Sequence, residues 1–406
     1  MFLFQQKRLR NAPYSILIIA LILSSLGFFT LYSIASQGGG SGVNIFNKQL
    51  IFFVIGIILF MAALLVPRHS IHQYIYILYG LILAAVIIPF FDDKIAGTHR
   101  WIQFGLPIRF QPSEFAKWIT ILALAKYLSD RNLKMGSIKI LIIPFIIAVI
   151  PFIIVLKQPD LGTALIIMVP VIPMLYWAGA RPFHLFIVLA PIISILAAFH
   201  VLSFTIWAVL LAVIIGLSKP ELWRGVLLYF GNIFLGLLAP MIWNSLKPYQ
   251  QNRVLTLINP DLDPLGAAYQ IIQSKTALGS GGLWGSGWKQ GTQTHLKFLP
   301  VQESDFIVSV IGEELGFITI LIMLVLFTVL ILKILKLALD SKDRFSSLTL
   351  IGIGSIFLAH VFVNSAMTAG MIPVKGLPLP FISYGGSFLL TCYIFVGLIM
   401  NFGTED

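Results

Sequence analysis

Long apolar runs recur along the chain near residues 14–34, 46–66, 74–91, 113–129, 139–156, 160–178, 184–199, 203–217, 222–245, 306–335, 346–370 and 383–401. Each is about the length of one membrane crossing, for which roughly 20 apolar residues are needed. The pattern predicts twelve helical spans. The stretch 184–217 is ambiguous, because it reads either as one long bent helix or as a short hairpin.

Basic residues resolve that ambiguity. With Lys7, Arg8 and Arg10 placed in the cytoplasm and the spans alternating, the short loops carrying Arg68, then Lys126, Arg131, Lys134 and Lys139, then Arg181, then Lys219 and Arg224, then Lys333, Lys336, Lys342 and Arg344 all fall inside. More than half of the 27 Lys and Arg residues then lie in short inner segments, as the positive-inside rule requires. A single span over 184–217 would invert everything after it and export the 333–344 cluster, so the hairpin is expected. Both termini are expected in the cytoplasm. The basic-then-apolar N-terminus resembles a signal peptide, but its apolar part is long enough to span, so an uncleaved first helix is expected.

Composition agrees. Apolar residues make up 58% of the 406 and charged residues only 11%, against about 25% charged in ordinary soluble domains. A soluble enzyme and a nucleic-acid-binding protein are both excluded. The net charge of +11 follows from cytoplasmic Lys and Arg and needs no anionic partner. Cys392 is the one cysteine, which rules out an internal disulfide and a cysteine-based metal cluster. The expected architecture is an all-α polytopic bundle forming one integral-membrane domain over residues 1–406.

Two long segments are left outside, 92–112 and 246–305. The second holds the densest Gly and Pro punctuation of the chain, NPDLDPLGAAYQ and LGSGGLWGSGWKQGTQ, together with Tyr249, Tyr269, Trp284, Trp288 and Phe298. Aromatic content of this kind argues against disorder, and long loops are commonly functional.

Of the 16 carboxylates, ten fall on the outer side or in spans: Asp92, Asp93, Glu114, Asp160, Asp261, Asp263, Glu303, Asp305, Glu313 and Glu314. Glu114 and Lys117, in QPSEFAKW, are spaced to pair on one helix face. They read either as a structural ion pair or as a site whose ammonium meets a lipid diphosphate. Asp160, in KQPDLGTA, is either a helix cap or a second partner for Lys117. Arg100, Trp101 and Arg109 lie in the first outer loop, as depth anchors or as phosphate- and sugar-contacting groups. Residues 364–387, NSAMTAGMIPVKGLPLPFISYGGS, read either as an ordinary Pro/Gly loop or as a break in a helix at membrane depth, which is tolerated where the backbone lines a cavity. Lys375 in this break is a candidate anion contact. No HExxH, no GxxxxGK[ST] and no Cys/His cluster occurs.

These segments resemble the SEDS family (shape, elongation, division, sporulation), its rod-shape branch more than its division branch. The resemblance spans the chain. It is most specific in 364–387, in INPDLDPLGAAYQIIQSKTALGSGGLWGSG, and in FLPVQESDFIVSVIGEELG, where the preceding GTQ points to the rod-shape branch. Val301, Glu303 and Ser304 depart from the family's common Glu, His and Thr, so these side chains are expected to be dispensable. The family typically has ten spans, and the 184–217 hairpin would add two. The resemblance implies a peptidoglycan glycosyltransferase that polymerises lipid II at the outer face of the cytoplasmic membrane, working with a class B penicillin-binding protein as transpeptidase. It implies Asp263 as the essential acidic residue. A base is needed to take the proton of the acceptor hydroxyl, and cations to meet the leaving diphosphate. Arg100, Arg109, Lys117 and Lys375 are candidates for the diphosphate, with Trp101, Glu114 and Asp160 beside them. No protein-held metal is expected; a divalent cation on the diphosphate stays open. The rival is a transporter or flippase of a polyisoprenoid-linked precursor, since broken helices and intramembrane charges are also transporter features.

Overall fold

The computed structural model describes residues 12–37, 39–91, 98–103, 109–129, 138–264, 266, 268–296, 298–374 and 376–404. All twelve apolar runs are helical. In chain order the helices are α1 (Tyr14–Gln37), α2 (Gly39–Leu65), α3 (Arg68–Ile87), α4 (Pro112–Ser129), α5 (Ile142–Lys157), α6 (Leu161–Met168), α7 (Val171–Trp177), α8 (Pro182–Ala197), α9 (Val201–Ser218), α10 (Leu222–Leu237) and α11 (Ala239–Ser245). Residues 246–305 then supply α12 (Pro248–Ile258), α13 (Tyr269–Gly281) and α14 (Thr292–His295), and α15 (Ile307–Asp340), α16 (Arg344–Thr368) and α17 (Gly386–Phe402) complete the bundle. A two-residue ladder pairs β1 (Ile102–Gln103) with β2 (Arg109–Phe110).

Among the described residues six helices are long and apolar enough to cross a membrane alone, or seven if α10 and α11, bent by 42°, form one span. The others are shorter because proline and glycine interrupt them. Pro170, which has no N–H to give, separates α6 from α7, and α17 starts only after the Pro/Gly break. The chain is an integral membrane protein, and apolar side chains such as Ile58, Ile77, Leu81 and Leu196 cover its outside.

The stretch 184–217 is a hairpin: α8 and α9 are separate helices joined at 198–200. They pack with α10 around Ala190, Trp207 and Leu211. Ser194 Oγ takes the Trp207 indole N–H at 2.7 Å and donates to Asn232 Oδ1 at 3.2 Å. Polar side chains holding one another replace the hydrophobic drive that lipid cannot supply.

The centre of the bundle is α17, whose residues from Ser387 to its end are all buried. It lies along α2 at close range: a Cβ on Gly397 would sit 2.5 Å from the Phe60 carbonyl oxygen. α4 and α16 are buried over most of their length beside it.

Basic side chains gather at one end. Arg68 donates to the carbonyls of Asn401, in the last turn of α17, and Thr404, just past it, Arg344 to the Ala178 carbonyl past α7, and Lys126 to the His72 carbonyl. The starts of α3 and α16 and the ends of α4, α7 and α17 therefore share one end, as alternating spans require. Cations at helix C-termini are also favoured by the helix dipole.

Candidate active site

At the opposite end, four separate segments enclose a cavity of about 370 Å³ lined by Thr98, Arg100, Asp160, Gln250, Val254 and Pro373 among others. Asp160 opens α6 and caps it, accepting from the Thr163 amide at 3.1 Å. Its other oxygen accepts from Gln111 Nε2 at 3.1 Å and lies 3.8 Å from Arg100 Nε. Arg100 also donates to the Pro159 carbonyl. Gln111 ties the group to the first turn of α17, its amide donating to Ser387 Oγ at 3.0 Å. Asp160 thus does what a cap does and also pairs, but with Arg100 and not with Lys117.

Lys117 belongs to Glu114. Its Nζ lies 2.6 Å from Glu114 Oε2, 3.3 Å from His360 Nε2 and 4.8 Å from the centre of the Phe388 ring. Only 1% of Lys117 is exposed. The ammonium therefore offers no open face to a diphosphate in this conformation, whereas Arg100, half-buried, opens on the cavity. Trp101 is half-buried beside it, and Arg109 is exposed on β2. Lys375 lies outside the described residues.

Asp263 stands where the 246–305 segment turns. Asn259 Oδ1 accepts from the Asp261 amide at 3.2 Å and starts the 3-10 turn Pro260–Leu262. The carbonyl of Asp263 then receives the amides of Gly266 and Ala268 at 3.3 and 3.1 Å. A Cβ at Gly266 would run into the Asp263 carboxylate, so the glycine lets that carboxylate fold back over its own turn. Asp261 is exposed and Asp263 half-buried. The same segment begins as α12, whose Gln250 and Val254 line the cavity.

The EELG carboxylates are structural anchors. Glu313, fully buried, accepts from the Gln293 and Thr294 amides at 2.7 and 3.0 Å and from Thr294 Oγ1 at 2.5 Å. Glu314 accepts from Ser33 Oγ at 2.7 Å and pairs with His295 Nε2 at 3.0 Å. Ser274 joins α13 to the bundle by donating to the Thr368 carbonyl at 2.7 Å.

The break 369–385 is held by side chains that replace helix hydrogen bonds. Asn364 Nδ2 donates to the Leu377 and Asp305 carbonyls at 2.7 and 3.0 Å, and Gln49 Nε2 donates to Ser383 O at 3.2 Å. The Glu303 carbonyl accepts from the Tyr384 amide and the Ser304 carbonyl from Ser383 Oγ. Both positions are used through their main-chain carbonyls, which accounts physically for a departure in the side chain at 303; Ser304 also donates its Oγ to Asp305 Oδ1 at 3.0 Å.

Gln111, Gln250, His295 and His360 went unmarked in the sequence. A histidine inside an apolar run was a usable signal for His360, because an ionisable group in a span is costly and is expected to have a partner. Among the described residues no group of three or more His, Cys, Asp or Glu is placed to hold a metal ion.

A family model described as a cell cycle protein (FtsW/RodA/SpoVE) matches residues 13–212 and 200–406. The chain is 33% identical over 388 residues to the peptidoglycan glycosyltransferase MrdB of Escherichia coli K12, covering 95% of this chain and 92% of that one. It is 30% identical to the peptidoglycan glycosyltransferase RodA of Treponema pallidum, covering 97% and 98%, and 32% identical to stage V sporulation protein E of Bacillus subtilis, covering 95% of each. Among solved structures, a chain from a peptidoglycan synthase complex that coordinates polymerization and crosslinking superposes with a TM-score of 0.71 at 25% identity, covering 97% of both. The rod shape determining protein RodA of Thermus thermophilus superposes at 0.63 with 23% identity, covering 97% and 96%.

Proposed function

The chain belongs to the FtsW/RodA/SpoVE (SEDS) family, and from that premise we propose that Asp263 is the base of its reaction and the cavity behind Arg100 receives the diphosphate of a lipid-linked donor. The activity is peptidoglycan glycosyl transfer. Lipid II is polymerised as the 4-hydroxyl of one sugar attacks the anomeric carbon of the next, with undecaprenyl diphosphate leaving. Asp263 takes the hydroxyl proton; the guanidinium of Arg100 meets the charge that grows on the leaving diphosphate. Arg109 and Lys375 are the further cations assigned to the same anion, and Trp101 packs on sugar or isoprenoid. Glu114, Lys117 and Asp160 act behind them, fixing the starts of α4 and α6.

What supports this most is one continuous segment: α12 lines the cavity and runs directly into the turn that carries Asp263. The whole chain is taken as one membrane domain in the bacterial cytoplasmic membrane, termini inside, with a ten-span core and the α8–α9 hairpin added. A class B penicillin-binding protein is its partner, an assignment in keeping with the synthase complex to which the fold is similar. The transporter alternative has against it that the charged site lies at one end of the bundle.

Removal of a general base costs about 10²–10⁴-fold in rate. Asp263→Asn is therefore expected to insert and purify normally yet make almost no glycan from labelled lipid II, while Asp261→Asn keeps most activity. The reverse order moves the base to Asp261, and full activity of both removes the chemistry from this turn.

A further inference from the structure

His360 lies on α16, fully buried, and its two ring nitrogens face different parts of the chain. Nε2 is 3.3 Å from Lys117 Nζ on α4. Nδ1 is 3.0 Å from the Pro378 carbonyl oxygen in the break 369–385. The ring packs on Phe388 at 4.6 Å between centres, the same ring over which the ammonium sits.

One protonation pattern satisfies both contacts. An ammonium only donates and a carbonyl only accepts. Nε2 must therefore accept from Lys117, and the proton of the neutral ring must sit on Nδ1, donating to Pro378. One turn further along α16, Asn364 donates to the Leu377 carbonyl. The i, i+4 pair His360 and Asn364 thus holds two successive carbonyls of the break. Pro373 of that break lines the cavity.

We infer that His360 is a positioning residue for glycosyl transfer: it holds the Lys117 ammonium against Glu114 and fastens it to the Pro378 carbonyl, so that the buried charge and the cavity wall keep one fixed relation. The role rests on the assignment of the cavity to the diphosphate. The α4 pair sits one helix start away from the Asp160–Arg100 pair, with Gln111 and Ser113 between them. Loosening the break from α4 therefore shifts the guanidinium that faces the leaving group. A histidine that merely fills the core has no need of two directed hydrogen bonds to separate elements.

The test uses the full-length purified protein with labelled lipid II. His360→Phe keeps the ring and its packing on Phe388 but loses both hydrogen bonds. His360→Gln can offer an amide oxygen to Lys117 and an amide N–H to Pro378. A hydrogen bond to a charged group has a weight that corresponds to a rate loss on the order of 10- to 100-fold. His360→Phe is expected to lose that much polymerisation, and His360→Gln to stay within about threefold of the parent, by the same principle. In a background where the ion pair is neutralised by Glu114→Gln with Lys117→Met, adding His360→Phe is expected to change the residual rate by less than about twofold, since there is no ammonium left to hold. If His360→Phe does not purify as a folded protein, His360→Asn, polar but too short to reach both partners, takes its place with the same expected loss.

Three results overturn the inference: parental activity in His360→Phe, equal loss in His360→Gln and His360→Phe, or a full additive loss in the neutralised background. Failure of the underlying assignment looks different. It appears as polymerisation by Asp263→Asn or by Arg100→Ala at the parental rate, whereas an inactive Asp263→Asn with a fully active His360→Phe removes only the positioning role.

Discussion

Replacing Glu313 by alanine is expected to release one end of the 246–305 segment while leaving the spans intact. Its carboxylate accepts the amides of Gln293 and Thr294 and the hydroxyls of Thr294 and Thr292. The hydroxyls can turn to other acceptors; the two amides cannot. A buried amide left unpaired costs about 1–3 kcal/mol, so the two together cost about 2–6 kcal/mol on the same scale. Because 1.4 kcal/mol is about a factor of ten, the amides of 292–296 should exchange with deuterium at least roughly 30-fold faster in detergent. Gly291 sharpens the effect, since its Cα faces the carboxylate so closely that a Cβ there would lie 2.8 Å from Glu313 Oε2. Glu313→Gln keeps one acceptor oxygen but turns an NH₂ group toward donors, and should fall between parent and alanine. Hydrogen exchange with peptide-level mass spectrometry reads this directly, with α16 and α17 as internal controls. Unchanged exchange at 292–296, or an equal rise across α16 and α17, would refute the local-anchor account.

Three further outcomes follow from the same structure. Lys117→Met strands the Glu114 carboxylate in the bundle, a loss of about 3–5 kcal/mol for a broken buried pair, so folded yield and melting temperature should fall and recover when Glu114→Gln is added; no recovery means that the pair is not the cause. Cysteines introduced at Thr276, exposed on α13, and at Ser341, after α15, should be labelled by an impermeant maleimide in intact cells at Thr276 only, with the buried Cys392 silent; the opposite pattern inverts the topology. The organism's class B penicillin-binding protein should co-purify in mild detergent and raise the polymerisation rate, and no association there counts against the partnership.

Hydropathy alone placed the apolar helices, because each run had to satisfy its own backbone in lipid and a helix is how one segment does that; it did not give the breaks that leave six or seven of the described helices long enough to cross alone. Charge decided the hairpin at 184–217, where apolar content could not. The Asp160 cap and the Glu114–Lys117 pair were legible from spacing, since both are local. What was not legible is non-local. Lys117 meets His360 across 243 positions of chain and Ser33 meets Glu314 across 281, and neither contact leaves a periodic trace. Exposure was equally hidden: an ammonium one turn inside α4 could face a cavity or the core, and only packing against Phe388 and His360 turns it inward.

The glycine-rich run LGSGGLWGSG was legible in the sequence as dense Gly punctuation and as part of the family resemblance, but its structural use, which is to repair a kinked helix, was not. α15 is kinked at Gly316, with φ 82° and ψ 171°, which frees amides that a helix would have paired. Residues 282–287 run alongside and repair the gap: Phe317 donates to the Gly282 carbonyl at 3.0 Å and Ile318 to the Leu283 carbonyl at 3.2 Å, while the Ser286 and Gly287 amides reach back to the Glu313 and Glu314 carbonyls. Two backbones approach so closely that a Cβ at Gly285 would overlap the Glu314 carbonyl, and φ at Gly285 is +84°. Glycine is required there both for room and for the left-handed backbone. Glu313 and Glu314, beside the kink, reach α14 and α1, where they fasten the 246–305 segment. The segment that carries Asp263 is thus fastened at its far end to the α15 kink, while α12 at its near end lines the cavity, and the base proposed at Asp263 needs such a fixed frame if it is to meet one hydroxyl in one place.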